Sequence, residues 1–510
     1  MDVFLIIIIC VLGLLLMYVN IYLLALYCHP EDGGFGSSLF CKIVVVLGLS
    51  LSWCQTLMLT LDVTNEREQQ GLDMHLCWII IYISVFVMLV FLIPLAIFYY
   101  ESDDEKPICQ RISLTIVQEF MVLVFAFLTI FLTYFWLRDA LVPVTVQVQD
   151  AALQFESSEI DLNVDTFTIT EEKQDHIATT IDPITFTIGL MCFLGYFFLI
   201  LYGGIGMVAL PLDLVCSYGT RPVFKSASQA AEKKNRLKRL VAQMIGYAKQ
   251  LRDMEKDVKC STGWWSKRKQ NTKVEKRYQK LVSAVSELEE EFEIFLLELN
   301  MGDANPLVYI FKLLLGIVLF IITLAWLLHL LLYVIITVDG IPFSPWLNKL
   351  FIQLDVYNVA FLSVFFFGLF TLYLLWCVTK GNLVFSMPWI FKFHPMKINE
   401  TWMNSFLFNI VLILISSVAL CHFSTCVFSQ YTRLTTVDLL FGTQIKYLKI
   451  FSWAFENKVF EYSLFSWTIL AGIIQMILKC RKPKLLDQID QKKKNLKGNY
   501  EIELKELFLK

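Results

Sequence analysis

Apolar and polar residues alternate in long blocks along this chain. Nine mostly apolar stretches occupy residues 3–27, 43–61, 76–99, 112–137, 184–210, 307–336, 356–378, 404–428 and 459–478. Each is near the ~20 residues a helix needs to cross the hydrocarbon core. Lipid offers backbone groups no hydrogen bonds, so each stretch predicts a transmembrane helix. The last is the weakest, with Glu461 near its start and Gln475 near its end. One long polar run, 221–304, parts the first five stretches from the last four.

That run has its own period. Leu237, Leu240, Met244, Tyr247, Leu251, Met254 and Val258 fall at alternating three- and four-residue steps. So do Val274, Tyr278, Leu281, Val285, Leu288, Phe292, Phe295 and Leu299. Both are heptad seams, predicting two helices of about 25 residues and ~40 Å. The break at Ser261–Ser266 predicts a turn and hence an antiparallel coiled-coil hairpin. Its second arm ends acidic, beside the basic start of the first, so the charges attract. Trp264 and Trp265 at the tip are the partner-docking candidates, against the plainer reading of a self-paired, solvated hairpin.

Composition makes lipid the solvent. Of 510 residues 57% are apolar and 17% charged, with a mean hydropathy of +0.61. A soluble domain carries about a quarter charged residues. Asp2 precedes the first apolar run with no basic flank, so that run is read as an uncleaved span. The 13 cysteines contain no C-x-x-C and lie mostly in apolar segments, where a thiol is a small hydrophobe.

Charge sets the expected orientation. With 221–304 inside, inner segments hold 34 of the 43 Lys and Arg and outer loops hold 8. The positive-inside rule then places the N-terminus outside or luminal and the C-terminus in the cytosol. The expected organisation is 1–220 with five spans, the hairpin at 221–304, 305–480 with four spans, and a basic tail at 481–510. The outer loop 138–182 carries ten carboxylates. Val144, Val146 and Val148 alternate with polar residues there, as do Leu162 and Val164, which suggests a small hairpin. Asp161, Asn163, Asp165 and Glu172 mimic a calcium loop, but Thr166 stands where the turn needs glycine. A plain solvated loop is the reading preferred.

At the end of the fifth stretch, Gly203, Gly204 and Gly206 precede Pro211. With no strand before them they do not read as a nucleotide loop. Small residues allow close helix packing, and Pro211 is expected to end or kink the span; a hinge is the functional alternative.

Several motifs together carry a resemblance. They are His29-Pro30-Glu31-Asp32, Leu61-Asp62-Val63, Phe98-Tyr99-Tyr100-Glu101, the 203–211 run followed by Arg221-Pro222, Trp326 with His329, and Phe343-Ser344-Pro345. His394-Pro395-Met396-Lys397 with Met403–Asn409 is the strongest of them. In order and spacing the chain resembles the LIMR family of nine-span membrane proteins, in its plant and protist form. It departs at Thr60, where similar proteins often carry proline. The resemblance implies an integral membrane protein without known catalytic residues. Relatives have been linked to lipocalin uptake and, more distantly, to lysosomal cobalamin export.

Ionisable residues inside spans are costly and therefore functional candidates. Glu119, His329 and His422 are the ligand or proton candidates; Asp62, Glu101 and Asp355 are candidates at span ends. A sharp reading gathers Glu119, His329 and His422 round one cavity, while a plainer one lets each bond a neighbouring helix. No hydrolase triad, zinc-protease or phosphate-loop motif is present, so no enzyme, metal or cofactor is expected. The fold expected is an all-α transmembrane bundle contacting membrane lipids, with no role in nucleic-acid binding. Two functions stay open: a carrier or trafficking component for a small ligand or lipid, and a receptor or scaffold binding a cytosolic protein through 221–304.

Overall fold

A computed structural model describes residues 3–33, 38–68, 73–102, 107–148, 171–219, 227–260, 264–302, 306–338, 341–384, 396, 401–449 and 451–479. The chain forms two units, Met1–Leu212 with Val318–Gln475, and Asp213–Ile317 with Met476–Lys510. The first predicted span is the apolar helix α1, Val3–Tyr27. Among the described residues, eight further helices are long and apolar enough to cross a membrane. They are α2 (Ser38–Glu68), α3 (Met74–Glu101), α4 (Ile108–Leu137), α5 (Pro183–Tyr218), α8 (Leu307–Ile335), α10 (Ala360–Val384), α11 (Met403–Val427) and α14 (Val459–Lys479). The all-α class expected from the pattern is the class observed.

Helix α11 is the axis of the first unit. Buried side chains make up 20 of its 25 residues. A helix apolar on every side must be surrounded, and α2, α3, α5 and α10 surround this one. Contact is close where glycine allows it. A Cβ on Gly195 of α5 would sit 2.2 Å from the Ile415 carbonyl oxygen of α11. Between α5 and α10 the fit is tighter still, with a Cβ on Gly206 only 1.7 Å from the Cys377 carbonyl oxygen. Gly206 is therefore a packing position. Gly204 is tight against Trp467 at 2.7 Å, whereas Gly203 has ordinary contacts from 3.5 Å.

Pro211 neither ends nor breaks α5, contrary to the expectation from its ring. The helix runs on to Tyr218. Proline at 211 withholds the N–H that would reach the Met207 carbonyl. The Thr323 hydroxyl of α8 donates to that carbonyl at 3.1 Å and shares a 2.5 Å hydrogen bond with the Tyr373 hydroxyl. A neighbouring helix thus supplies the missing donor. Farther up α5, a π turn at Leu199–Gly203 is followed by more of the same. Trp467 Nε1 donates to the Leu201 carbonyl, and Gln475 Nε2 to that of Ile205. Gln475, which weakened the last span on paper, is what ties that span to α5.

The two ends of the bundle gather different connections. At one end, residues of the recognisable motifs meet. His29 stacks on Trp402 at 4.2 Å, the Tyr100 hydroxyl donates to both Asp32 carboxylate oxygens, and Asn404 Nδ2 donates to exposed Glu101 at 3.3 Å. At the other end, β1 (Asp139–Val148) pairs antiparallel with β2 (Glu171–Thr180), Asp139 opposite Thr180. The predicted first strand is present, and its partner is 171–180. Leu162 and Val164, with Asp161, Asn163 and Asp165, lie outside the described residues, while Glu172 is a strand residue opposite Gln147. The same end holds the short helices α9 (Trp346–Val356), α12 (Thr436–Asp438) and α13 (Ser452–Glu456).

The second unit contains α6 (Ala227–Cys260) and α7 (Trp264–Gly302), longer than the seams alone suggested. Two contacts show that they run antiparallel. The Lys233 ammonium lies over the Phe295 ring, and the Arg277 guanidinium donates to Met254 Sδ. Leu237, Leu240, Met244, Tyr247 and Leu251 face Leu281, Ala284, Leu288 and Phe295. Burial there pushes the Tyr247 phenol pKa up from its ordinary value. Tyr278 and Phe292, predicted on the seam, are exposed instead. Ala284 is buried in the seam beside Leu281 and Leu288, and the predicted seam residues Val274 and Val285 pack against it. Trp264 and Trp265 open the first turn of α7 and are not in the linking turn; their side chains lie outside the described residues.

Candidate functional site

Two pockets in the first unit involve the predicted ionisable residues, and they are chemically opposite. The first is a cleft of about 640 Å³ between α4 and the segments around Phe40, Phe91 and Tyr99. Its α4 wall is Ile112, Thr115, Ile116, Glu119, Phe120 and Leu123, one face of a helix at three- and four-residue spacing. The same face continues as Phe127, Ile130, Phe131 and Tyr134 along a second apolar cleft of about 450 Å³. Glu119 is 3% exposed, and neither of its carboxylate oxygens has a hydrogen-bond partner among the described residues. The carboxyl therefore stands in a mostly apolar groove, beside the buried Thr115 hydroxyl, which also has no hydrogen-bond partner among the described residues. A buried ionisable group left without a partner is costly, and in proteins usually marks a ligand or proton site.

The second pocket, about 200 Å³, lies where α8, α11 and the start of α14 meet. Tyr333, His422, Cys426, Ser429, Lys446, Phe455, Glu456, Lys458 and Glu461 are among its lining residues. Its position follows from local structure. α8 finishes in a π turn, Leu330–Ile335, which turns Tyr333 toward α11. The Tyr333 hydroxyl shares a 2.7 Å hydrogen bond with Ser429. Lys458 Nζ donates to the Val334 carbonyl at 3.0 Å, a cation on the last turn of a helix. His422 shares a 2.5 Å hydrogen bond from Nδ1 to the Tyr196 hydroxyl and packs against Phe455.

The structure does not gather the three predicted span residues round one cavity. Glu119 lines the apolar cleft, His422 the polar pocket, and His329 neither. His329 Nε2 bonds the Val427 carbonyl at 3.2 Å, as Asn348 does at 3.3 Å. Both residues satisfy the C-terminal end of α11, whose last carbonyls have no partner within the helix. His329 touches the polar pocket indirectly, through Val427 and through Tyr333, on which it stacks at 5.2 Å.

The span-end candidates are anchors. The Asp62 carboxylate accepts from Trp78 Nε1 at 2.9 Å and from the backbone N–H groups of Val437 and Thr436. It holds α2, α3 and α12 together. Asp355 lies in α9 and not at the start of a span; it accepts from the Ser363 hydroxyl, to which Tyr431 donates in turn. Among the described residues no group of three or more potential metal ligands converges. Residue-by-residue reading missed Lys446 and treated Glu461 only as a blemish on a span. The useful signal was present: an acid opening an apolar stretch, with lysines in the preceding connection.

Comparison with known proteins agrees with the architecture. The family model described as LMBR1-like membrane protein matches residues 5–293 and 264–448. A LIMR family protein of Dictyostelium discoideum is 31% identical over 519 residues, covering 94% of this chain and 99% of its own length. A rice LIMR family protein is 29% identical, covering 95% and 98%, and one from Arabidopsis thaliana is 30% identical, covering 89% and 91%. No solved structure matches the chain. With its end-to-end relatives, its matching family model and its bundle of apolar helices, the chain belongs to the LIMR family of LMBR1-like multi-pass membrane proteins.

Proposed function

We propose that this protein is a carrier for a membrane-borne amphiphile, bound along the outward-opening face of α4 with its polar head on Glu119. The observation that carries this reading is the unpartnered Glu119 carboxyl in a mostly apolar cleft. The groove's two clefts, about 640 and 450 Å³, are in the range of ligand pockets and suit a chain-like tail. The carboxyl and the Thr115 hydroxyl supply the directional contacts. The reading assigns no catalysis. With lysine and arginine concentrated as they are, the proposed orientation puts the N-terminus outside or luminal and the hairpin in the cytosol.

The test is co-purification. Wild type and Glu119→Gln are purified in lipid nanodiscs, and their retained lipids are identified by mass spectrometry. A lipid enriched over the bulk with wild type and lost with the variant is the expected result. Equal retention by both would overturn the carrier reading.

One observation favours a scaffold as a second reading. Tyr278, Val282, Phe292 and Leu296 form an exposed apolar stripe on α7. A cytosolic partner helix could cover it. Loss of a cytosolic interaction on changing Tyr278 and Phe292 to Ser, with lipid retention intact, would support that role.

A further inference from the structure

The carrier reading leaves the polar pocket at the opposite end of the bundle unused. Its wall carries two lysines, Lys446 and Lys458, and two glutamates, Glu456 and Glu461. Among the described residues neither lysine comes within 4.0 Å of either carboxylate, so Lys446 and Lys458 attract Glu461 only from longer range and no direct ion pair closes the space. Glu461 is only 5% exposed, and its Oε2 is buried with no hydrogen-bond partner. Lys458 is anchored on the Val334 carbonyl, and the Lys446 ammonium lies 5.4 Å from the Tyr447 ring centroid. The floor is apolar: Val334, Pro342 and Val427.

We infer that this pocket binds a small zwitterion of amino-acid size, its ammonium on Glu461 and its carboxylate on Lys446. Three features select that class. The volume, about 200 Å³, is below that of ordinary drug-sized pockets and excludes a lipid. The unpaired Glu461 oxygen accepts an ammonium N–H that nothing in the protein supplies. A ligand with a single charge satisfies one side and leaves the other charge of the pocket unpaired, which is a penalty against it. Phe455 and Tyr333 flank the space with ring faces, and Tyr196 holds the His422 ring to one side. Rim-exposed Glu456 adds a negative charge near the entrance.

The experiment uses the full chain in nanodiscs and reads thermal stabilisation with free glycine, glutamine, leucine and phenylalanine. Two analogues of leucine accompany them: isoamylamine, which lacks the carboxylate, and isocaproate, which lacks the ammonium. At least one amino acid is expected to raise Tm. Both single-charge analogues are expected to bind roughly 10- to 100-fold more weakly, the effect of one lost charge-assisted hydrogen bond. Glu461→Gln and, as a half-buried position that tolerates change, Lys446→Gln should each abolish the response, while Glu119→Gln leaves it intact. Failure of every amino acid to raise Tm would overturn the inference. So would isoamylamine binding as tightly as leucine, or a response that survives in both Glu461→Gln and Lys446→Gln. Since the carrier reading is tested at Glu119, either proposal can fail without the other.

Discussion

Helices α11 and α4 are both long, apolar and dotted with polar residues, yet they treat those residues in opposite ways. On α11 nearly every polar group has a partner. Asn409 Nδ2 donates to the Ser405 carbonyl, Ser417 accepts from Gln55, and His422 meets Tyr196. On α4, Glu119 has none. Helix α11 is enclosed, with 20 of its 25 residues buried, whereas most of α4 is exposed, although Glu119 itself is covered by its cleft. An enclosed helix must satisfy its polar groups from neighbours, or lose roughly 1–3 kcal/mol for each. A helix at the margin of the bundle can keep one unsatisfied if something from the membrane completes it. Polar residues at the centre therefore specify packing, and the one at the margin is poised for function.

The sharpest way to break this contrast is to crowd the centre. Gly195→Leu places side-chain atoms where the Ile415 carbonyl already stands. A loss of ~4 kcal/mol or more is expected, beyond what most proteins tolerate. Size-exclusion chromatography should show aggregated or absent protein, and a normal elution profile would contradict the packing described. A smaller effect is expected from His422→Leu. It leaves the buried Tyr196 hydroxyl without its 2.5 Å partner and should cost roughly 1–3 kcal/mol, read as a lowered Tm. Glu119→Leu should act in the opposite direction and by less. Removing an unpartnered carboxyl from an apolar cleft is expected to raise Tm by an amount equivalent to ~1 kcal/mol, while bound amphiphile is lost. Destabilisation by Glu119→Leu comparable with that of His422→Leu would show that Glu119 has a structural partner, and the contrast would fall.

How much of this was legible beforehand depended on which physical signal each feature left. The spans were plain because apolar length is a local property, and the observed helices overlap all nine stretches. Two long helices in the polar run were readable from its seams, but the seams did not fix every buried position. In the structure Ala284 is buried in the seam, with Val285 packed against it, while Tyr278 and Phe292 are exposed. Pro211 misled for a similar reason: its local effect is to break a helix, and its rescue by Thr323 comes from a residue more than a hundred positions away. Asp62, His329 and Asp355 stand out in the sequence as ionisable groups in or beside spans, but their partners lie on other elements.

What the sequence alone determined is that this chain lives in lipid, as a bundle of apolar helices interrupted by one long polar, helical run. Length and composition suffice for that, since each span must satisfy its own backbone before it meets another. What only the tertiary structure decided is which faces meet: α11 at the centre, α4 at the margin, and Glu461 with Lys446 round a pocket. In lipid an apolar side chain gains little by exchanging lipid for protein, so hydropathy cannot select the packed face of a span. That choice falls to glycines that permit contact and to polar groups seeking partners, and both act between residues far apart in the chain.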